Sequence, residues 1–470
     1  MQSKRARYAW MVQSWSPISW KTFPNAQIVP YADPDELERA ALRIARLPPL
    51  VTSIEIDRLR TLIASAQRGE RFLLQGGDCA ETLDQCNSES VERMLALFLK
   101  MSLVLIWGGK KPVVRIGRIA GQYGKPRSNL TETFGGMTLP SYFGDLVNRP
   151  ERTIAARQPN PERLISCYEH AALTLNFVRS LSGGGIVDVH PLEDWDAYPF
   201  DRPELPISQR ESFSKTTRDI GEALRFMEAL GELRVGDLFG SEFFTSHEGF
   251  HLHYESAQTK VVSRGCGYYD LTTHLPWIGA RTRMLSGAHV EFFRGIRNPI
   301  GVKIGSDATP NEVLALCHIL NPDNEPGRLV LVSRMGAHRV ENTLPALLDA
   351  VRRAGKRVLW LCDPMHGNTE TLPDGRKTRR FDAITMEMDE TFEAHAACGT
   401  ILGGVHLELS GDAVTECIGG GVQVDDLSRA YATRCDPRLN HAQAFEMAHF
   451  VARKLREYDG AARRRGFSTP

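Results

Sequence analysis

From Phe72 onward, short and continuously apolar runs alternate with longer segments of helical period. Runs of this kind fit strands buried on both faces, and the segments between them fit helices, so the pattern is that of repeated βα units. The runs predicted as strands are Phe72–Gln75, Val113–Gly117, Glu242–Ser246, Leu275–Ile278, Gly301–Ile304, Leu329–Ser333, Val358–Cys362 and Gly404–Glu408. Eight such runs favour an α/β fold of the (β/α)8 TIM barrel type over an open sheet, whose usual strand count is lower.

The pattern breaks in two places. Residues 1–70 are rich in Trp and Pro (Trp15, Pro17, Trp20, Pro24, Pro30, Pro34) and form an expected N-terminal extension, an irregular arm followed by helices. Its first helix opens at Asp33-Pro34-Asp35-Glu36, runs to about Arg46 and stops before Pro48-Pro49. Residues 71–470 form the expected catalytic barrel, with extra helices inserted in the βα connections around 190–235. There Ile220, Leu224, Met227 and Leu230 share one helical face. The Arg-rich segment Ala461–Arg465 is expected to fray.

Composition narrows the class. Lys plus Arg equals Asp plus Glu at 57 each, so no global basic field exists to attract nucleic acid or a membrane surface. Nine cysteines without a repeating spacing fit a reducing compartment rather than a disulfide framework. The longest apolar run, Met94–Trp107, contains Lys100 and falls short of the roughly 18 apolar residues of a membrane span, so it reads as a core helix. A cytoplasmic, soluble protein is expected.

Four stretches carry metal-ligating side chains, most of them directly after a predicted strand: Gly76-Gly77-Asp78-Cys79, Cys362-Asp363-Pro364-Met365-His366, His406-Leu407-Glu408 and Cys435-Asp436-Pro437. The candidate ligands are Cys79, His366, Glu408 and Asp436, with His366 and Glu408 placed at the ends of strands seven and eight. One thiolate, one imidazole and two carboxylates from dispersed strand ends suit a catalytic ion such as Mn²⁺, Co²⁺, Fe²⁺ or Zn²⁺, not a structural zinc module. A second set is cationic: Arg118, Arg281, Lys303 and Arg334 follow or close predicted strands, and Lys125, Arg127 and Ser128 lie just beyond Arg118. Several cations around one barrel mouth imply substrates carrying several negative charges.

These motifs are also where the chain resembles a known family. Leu73–Glu81, Arg118-Ile119-Ala120-Gly121-Gln122-Tyr123, Lys125-Pro126-Arg127-Ser128, Trp277-Ile278-Gly279, Val332-Ser333-Arg334-Met335-Gly336, Cys362–Thr369, Glu416-Cys417 and Cys435–Asn440 resemble the class II (plant-like) 3-deoxy-D-arabino-heptulosonate 7-phosphate (DAHP) synthases. The resemblance implies condensation of phosphoenolpyruvate with D-erythrose 4-phosphate, the first step towards aromatic amino acids. It implies metal ligation by Cys79, His366, Glu408 and Asp436, with Mn²⁺ as the first choice, and phosphoenolpyruvate binding by Arg118, Arg281, Lys303 and Arg334. Lys125, Arg127 and Ser128 would hold the aldose phosphate, and Lys125, Arg118 and Lys303 would act on the reacting groups. A homodimer or homotetramer and an aromatic amino acid effector also follow from it. Ala280 departs from the pattern, which commonly has Glu there.

Two other readings share the barrel. An amino-sugar variant would condense an imino-tetrose phosphate in secondary metabolism. A metal-dependent hydrolase is disfavoured by the missing His-x-His on the first strand and by the excess of mouth cations. His251-Leu252-His253 reads as a structural pair, His247-Glu248 is given no role, and Gly183–Gly185 and Gly419–Gly421 are expected as turns. Cys435, beside Asp436, is expected near Cys79, where a disulfide would remove a metal ligand.

Overall fold

A computed structural model describes residues 14–134, 136–184, 207–229, 242–262 and 267–464. Its centre is a closed barrel of eight parallel strands. These are β1 (Phe72–Gly77), β2 (Val113–Arg118), β3 (Phe243–Glu248), β4 (Leu275–Ile278), β5 (Ile300–Gly305), β6 (Leu329–Arg334), β7 (Val358–Cys362) and β8 (Leu402–Glu408). All eight apolar runs are strands, and most extend further towards the C-terminal end than the pattern predicts. The extra residues are the polar ones at the mouth, Gly77, Arg118, Glu248 and Arg334, which an apolar criterion passes over. Burial on both faces explains the continuous hydrophobicity: every residue of β1, β5 and β8 is buried.

The register builds the interior in layers. Leu73 lies level with Val114 on β2 and Gly404 on β8, Gln75 with Ile116 and His406, and Gly77 with Arg118 and Glu408. The lowest layer is apolar and is plugged by the helix Ser53–Gln67, whose Leu59, Leu62, Ile63 and Ala66 pack on Leu73, Val114, Val330 and Leu359. A reciprocal capping box between Thr52 and Glu55 starts this helix. The preceding helix, Pro34–Ala45, is capped by Asp33 through the N–H groups of Asp35 and Glu36, as the sequence predicts. The arm before it lies along the barrel wall, where Trp15 donates to the Glu291 carbonyl at 2.9 Å and Ser19 to the Glu291 carboxylate at 2.6 Å.

The Met94–Trp107 run forms part of the helix Ser88–Gly109, which packs in one core cluster with the helix His441–Arg464. Of the inserted amphipathic face, Ile220 is buried and Leu224 packs on that cluster within the helix Ile207–Ala229; Leu230 lies outside the described residues. Two local expectations change. Gly183 and Gly184 end the helix Glu162–Gly184 rather than forming a turn, and the Arg-rich segment continues the last helix to Arg464; Gly185 and Arg465 lie outside the described residues. Gly419, Gly420 and Gly421 are a turn, all with positive φ.

Gly77 shows how the fold serves the mouth. Its φ is 131°, and a Cβ there would sit 2.6 Å from the Arg118 carbonyl oxygen. Gly77→Ala is therefore expected to cost about 2–3 kcal/mol through strain and overpacking. It should also displace Cys79 and Arg118 together, which urea denaturation paired with a divalent-metal titration would register.

Candidate active site

Cys79 follows the Gly77 turn at the end of β1 and is fully buried. Its sulfur, a carboxylate oxygen of Glu408 at the end of β8 and one of Asp436 on the following loop all lie within 4.8 Å of one another. The Lys125 ammonium stands among them, 3.0 Å from the Cys79 Sγ, 2.8 Å from Asp436 Oδ2 and 3.6 Å from Glu408 Oε1. A thiol and two carboxylates within reach of one another can hold a divalent ion once the thiol gives up its proton, and a sulfur with two carboxylates suits a borderline metal. His366 joins them: its Nε2 is 2.9 Å from Glu408 Oε1. It sits on a 3-10 turn, His366–Asn368, beyond the end of β7 rather than on the strand itself, because Pro364 breaks the extended run. The four predicted ligands thus converge from β1, β7 and β8, neighbours in the barrel.

Second partners fix these groups. Asp363, fully buried, accepts from His366 Nδ1 at 2.8 Å and from the Lys303 ammonium. That bond leaves His366 Nε2 facing the donor set. Burial would raise the Asp363 pKa, but His366 and Lys303 hold its carboxyl well below the usual range. Burial likewise works against the Glu408 anion, and His366, Lys125, Arg379 and Arg118 together hold it ionised. Burial would lower the Lys125 pKa, yet Asp436, Cys79 and Glu408 raise it and keep the ammonium charged. The Cys79 thiol is pushed up by burial, then by Cys435, whose side chain hydrogen-bonds it, and by Glu408; the expected proximity of the two cysteines is therefore present.

The cations line a cavity of about 160 Å³ with Trp277 as one wall. Arg118 reaches His406 Nε2 at 2.8 Å, the Cys79 carbonyl at 3.1 Å and Glu408 Oε1 at 3.0 Å. It lies 5.2 Å from the Trp277 ring centre, and the Lys303 Nζ lies at 5.9 Å. Burial, then Lys303 and Arg118, lower the pKa of His406, so a neutral imidazole accepts from Arg118. Arg334 donates to the His366 carbonyl at 2.9 Å. Arg281 lines the same cavity but is exposed, and its guanidinium donates to Ser128 Oγ at 2.9 Å. Arg127 and Ser128 border an adjoining cavity of about 260 Å³, and Arg127 is paired with Glu132.

Several residues that sequence reasoning missed complete the site. Asp363 and His406 lay inside the quoted motifs and were passed over for their more familiar neighbours. Arg379 is fully buried, donating to Glu408 Oε2 at 2.7 Å, and Lys377 pairs with Asp436 Oδ1 at 2.8 Å; both lie on a hairpin, Thr369–Thr371 with Lys377–Arg379. A run of basic residues at 376–380 gave no sign that two of them turn inward. Glu248 also reaches the cavity, and it crosses Gly279 so closely that a Cβ there would lie 1.8 Å from its Oε1. Ala280 borders the cavity with no carboxylate of its own. Beneath these, Glu81 accepts the N–H groups of Ala120, Gly121 and Gln122 at 2.7–2.9 Å and so anchors the segment leading to Lys125. The pair discounted in the sequence is structural: His251 and His253 pack under the arm, and burial lowers their pKa values to about 3 and about 4.

Asp363→Asn is expected to weaken divalent-metal binding by about 10–100-fold, because the His366 ring loses its carboxylate partner. Calorimetric titration of chelated protein would measure this, and unchanged affinity would count against His366 as a ligand.

The sequence model of the class-II DAHP synthetase family matches residues 15–452. Among curated relatives, a phospho-2-dehydro-3-deoxyheptonate aldolase of Streptomyces coelicolor is 46% identical over 93% of this chain and 97% of its own length. One from Neurospora crassa is 43% identical over 94% and 95%, and one from Mycolicibacterium smegmatis 41% over 91% and 92%.

Proposed function

Because the chain belongs to the class-II DAHP synthetase family, we propose that this barrel mouth joins phosphoenolpyruvate to erythrose 4-phosphate over a divalent ion held by Cys79, His366, Glu408 and Asp436. The reaction yields DAHP and inorganic phosphate, the first step of the shikimate pathway. One observation carries the assignment of roles: a thiol and two carboxylates within 4.8 Å of one another lie beside the cavity that Arg118, Lys303 and Arg334 line. Mn²⁺ is the ion we favour for this mixed sulfur, nitrogen and oxygen set. When bound, it would supply Lewis acidity to the aldehyde oxygen.

The protein side chains supply position and charge. Arg118, Lys303 and Arg334, with Arg281 at the rim, hold the phosphate and carboxylate of phosphoenolpyruvate; Arg118 is the most constrained of them because Glu408, His406 and the Cys79 carbonyl fix it. Holding two anions side by side offsets their repulsion and brings the enol carbon onto the aldehyde carbon. As that C–C bond forms, the aldehyde oxygen takes a proton, and the Lys125 ammonium, kept charged by its neighbours, is the donor we favour. Water then adds at the former enol carbon, and phosphate departs with C–O cleavage.

Residues 1–70 act as an extension to a catalytic barrel over 71–470, supported by the plug that the helix Ser53–Gln67 makes in the barrel floor. A homodimer or homotetramer is supported by Ile28, Leu42 and Ile54, which stay exposed on that extension. An aromatic amino acid effector rests on the family resemblance. A cytoplasmic location fits the described cysteines, all free. Among the described residues, no helix is long and apolar enough to cross a membrane.

The decisive assay follows phosphoenolpyruvate loss with erythrose 4-phosphate before chelation, after it, and after Mn²⁺ is restored. Activity should vanish on chelation and return with the ion; turnover of an imino-tetrose phosphate in preference would instead favour the amino-sugar variant. A pH effect follows from Lys303, whose pKa burial lowers to about 8 despite Asp363. Below that pH Lys303 is charged and binds its anion; above it the charge is lost. The KM for phosphoenolpyruvate should therefore climb as pH rises through about 8, and Lys303→Arg should remove that rise, which initial-rate pH profiles would show.

A further inference from the structure

We propose that the hairpin Thr369–Thr371 with Lys377–Arg379 decides which ion the site accepts. Arg379 acts as a positioning residue that confines Glu408 to one ligating oxygen, and Lys377 does the same for Asp436. This role deepens the reading above and rests on it for the identity of the ligands. It follows from how the two oxygens of each carboxylate are used. Glu408 Oε1 lies 2.9 Å from His366 Nε2 and 3.6 Å from the Lys125 ammonium, while Oε2 accepts from Arg379 at 2.7 Å. Asp436 Oδ2 lies 2.8 Å from the same ammonium, while Oδ1 accepts from Lys377 at 2.8 Å. One oxygen of each thus faces the ammonium that stands 3.0 Å from the Cys79 sulfur, and the other is turned away and held.

The period of a strand produces this arrangement. Lys377 and Arg379 are two residues apart and leave the strand on one face. Thr378 between them is fully buried and donates to the Glu416 carbonyl at 2.9 Å. The Ile418 N–H donates to the Arg379 carbonyl at 2.8 Å, and Tyr431 to that of Lys377 at 2.8 Å. The backbone beneath both cations is therefore tied to the loop that follows β8. Arg379 is the stiffer clamp: it is fully buried, and its guanidinium also donates to Thr369 Oγ1 at 2.9 Å and to the carbonyl of Pro437, the residue after Asp436. Lys377 is 41% exposed and is the weaker one.

The consequence is a limit on ligand number. With each carboxylate giving one oxygen, the chain offers an ion one sulfur, one nitrogen and two oxygens. A transition ion accepts such a mixed set. Ca²⁺ takes about six to eight oxygen ligands, and a carboxylate serves it well when both oxygens bind. Here the second oxygens are already spent. Releasing Glu408 Oε2 would leave the Arg379 guanidinium buried without its anion, which is costly. The clamps discriminate by geometry and not by charge, since two fixed cations repel every divalent ion alike.

The test measures Mn²⁺ and Ca²⁺ dissociation constants by competition calorimetry on the full-length, chelated protein, for the wild type, Arg379→Met, Arg379→Lys and Lys377→Met. The ratio of the two constants is the readout. Both ions carry the same charge and Cys79 stays in every variant, so a lost cation and the preference of sulfur cancel from it. Arg379→Met should lower the preference for Mn²⁺ over Ca²⁺ by about 10-fold or more, the usual effect of losing a ligand's supporting partner. Arg379→Lys, which keeps a charged donor, should recover most of that preference. Lys377→Met should lower it by about two- to fivefold, in keeping with a half-exposed ion pair. An unchanged ratio in Arg379→Met overturns the proposal, and where that variant does not fold, an unchanged ratio in Lys377→Met does so. Parallel weakening of both ions also overturns it, because the hairpin would then merely brace the loops. A wild type that binds neither ion removes the four-ligand reading and this role with it, whereas a wild type that binds Mn²⁺ with variants of equal ratio removes this role alone.

Discussion

The contact between Arg118 and Glu408, 3.0 Å apart with side chains 2% and 0% exposed, is the constraint on which the mouth of this barrel depends. Two unit charges at that separation attract by about 5 kcal/mol at an effective dielectric near 20, and removing them from water costs an amount of similar size. The pair cannot hold itself in place at a profit. It persists because further partners hold both groups: Glu408 turns its second oxygen to Arg379, and Arg118 also donates to His406 and the Cys79 carbonyl while lying beside Trp277. The strand register makes this possible, since Gly77 stands between Arg118 and Glu408 in the same layer and offers no side chain to separate them.

From that pair the two halves of the chemistry become one object. Asp363 joins Lys303, on the cavity wall, to His366, beside Glu408, so a shift in either is felt by the other. Glu387 repeats the arrangement one layer out, accepting the Met335 N–H at 2.7 Å and the Asn368 amide at 2.8 Å, and ties the loop after Arg334 to the loop carrying His366. Burial pushes the Glu387 pKa up to about 8, even against the lowering by the Gly336 and Met335 N–H groups and the Asn368 amide. These carboxylates hold loops that would otherwise be the most mobile part of a barrel.

How much of this was legible depended on whether the information was local. The eight strands could be read because burial on both faces writes a continuous apolar run into the sequence. Cys79, His366 and Asp436 could be read because each stands in a short stretch of unusual composition. Arg379 and Lys377 could not, because what makes them matter is a fold-dependent pairing, Arg379 with Glu408 and Lys377 with Asp436, across 29 and 59 residues of chain. The same limit explains His406. In the sequence it is one more imidazole near a candidate ligand; in the barrel it points into the middle layer, where a neutral ring can accept from Arg118 without cancelling its charge. Arg281 follows its strand to the mouth as its position predicts, and the short β4 leaves it exposed on the rim and turned towards Ser128.

Charge balance then explains why an ion and two anionic substrates belong in the same mouth. Arg118, Lys125, Arg281, Lys303, Arg334, Lys377 and Arg379 gather there with four carboxylates, Glu248, Asp363, Glu408 and Asp436, while burial pushes the Cys79 thiol towards its protonated form until something displaces the proton. A divalent ion deepens the positive excess even after it converts Cys79 to a thiolate. The cations at the mouth can tolerate that excess only if anions arrive with it, and a phosphate and a carboxylate on one substrate with a phosphate on the other would supply them. The same excess would make an empty or half-filled site electrostatically unfavourable. Substrate binding and metal binding would then reinforce each other, and the reacting carbons would meet only in the one arrangement in which the charges balance.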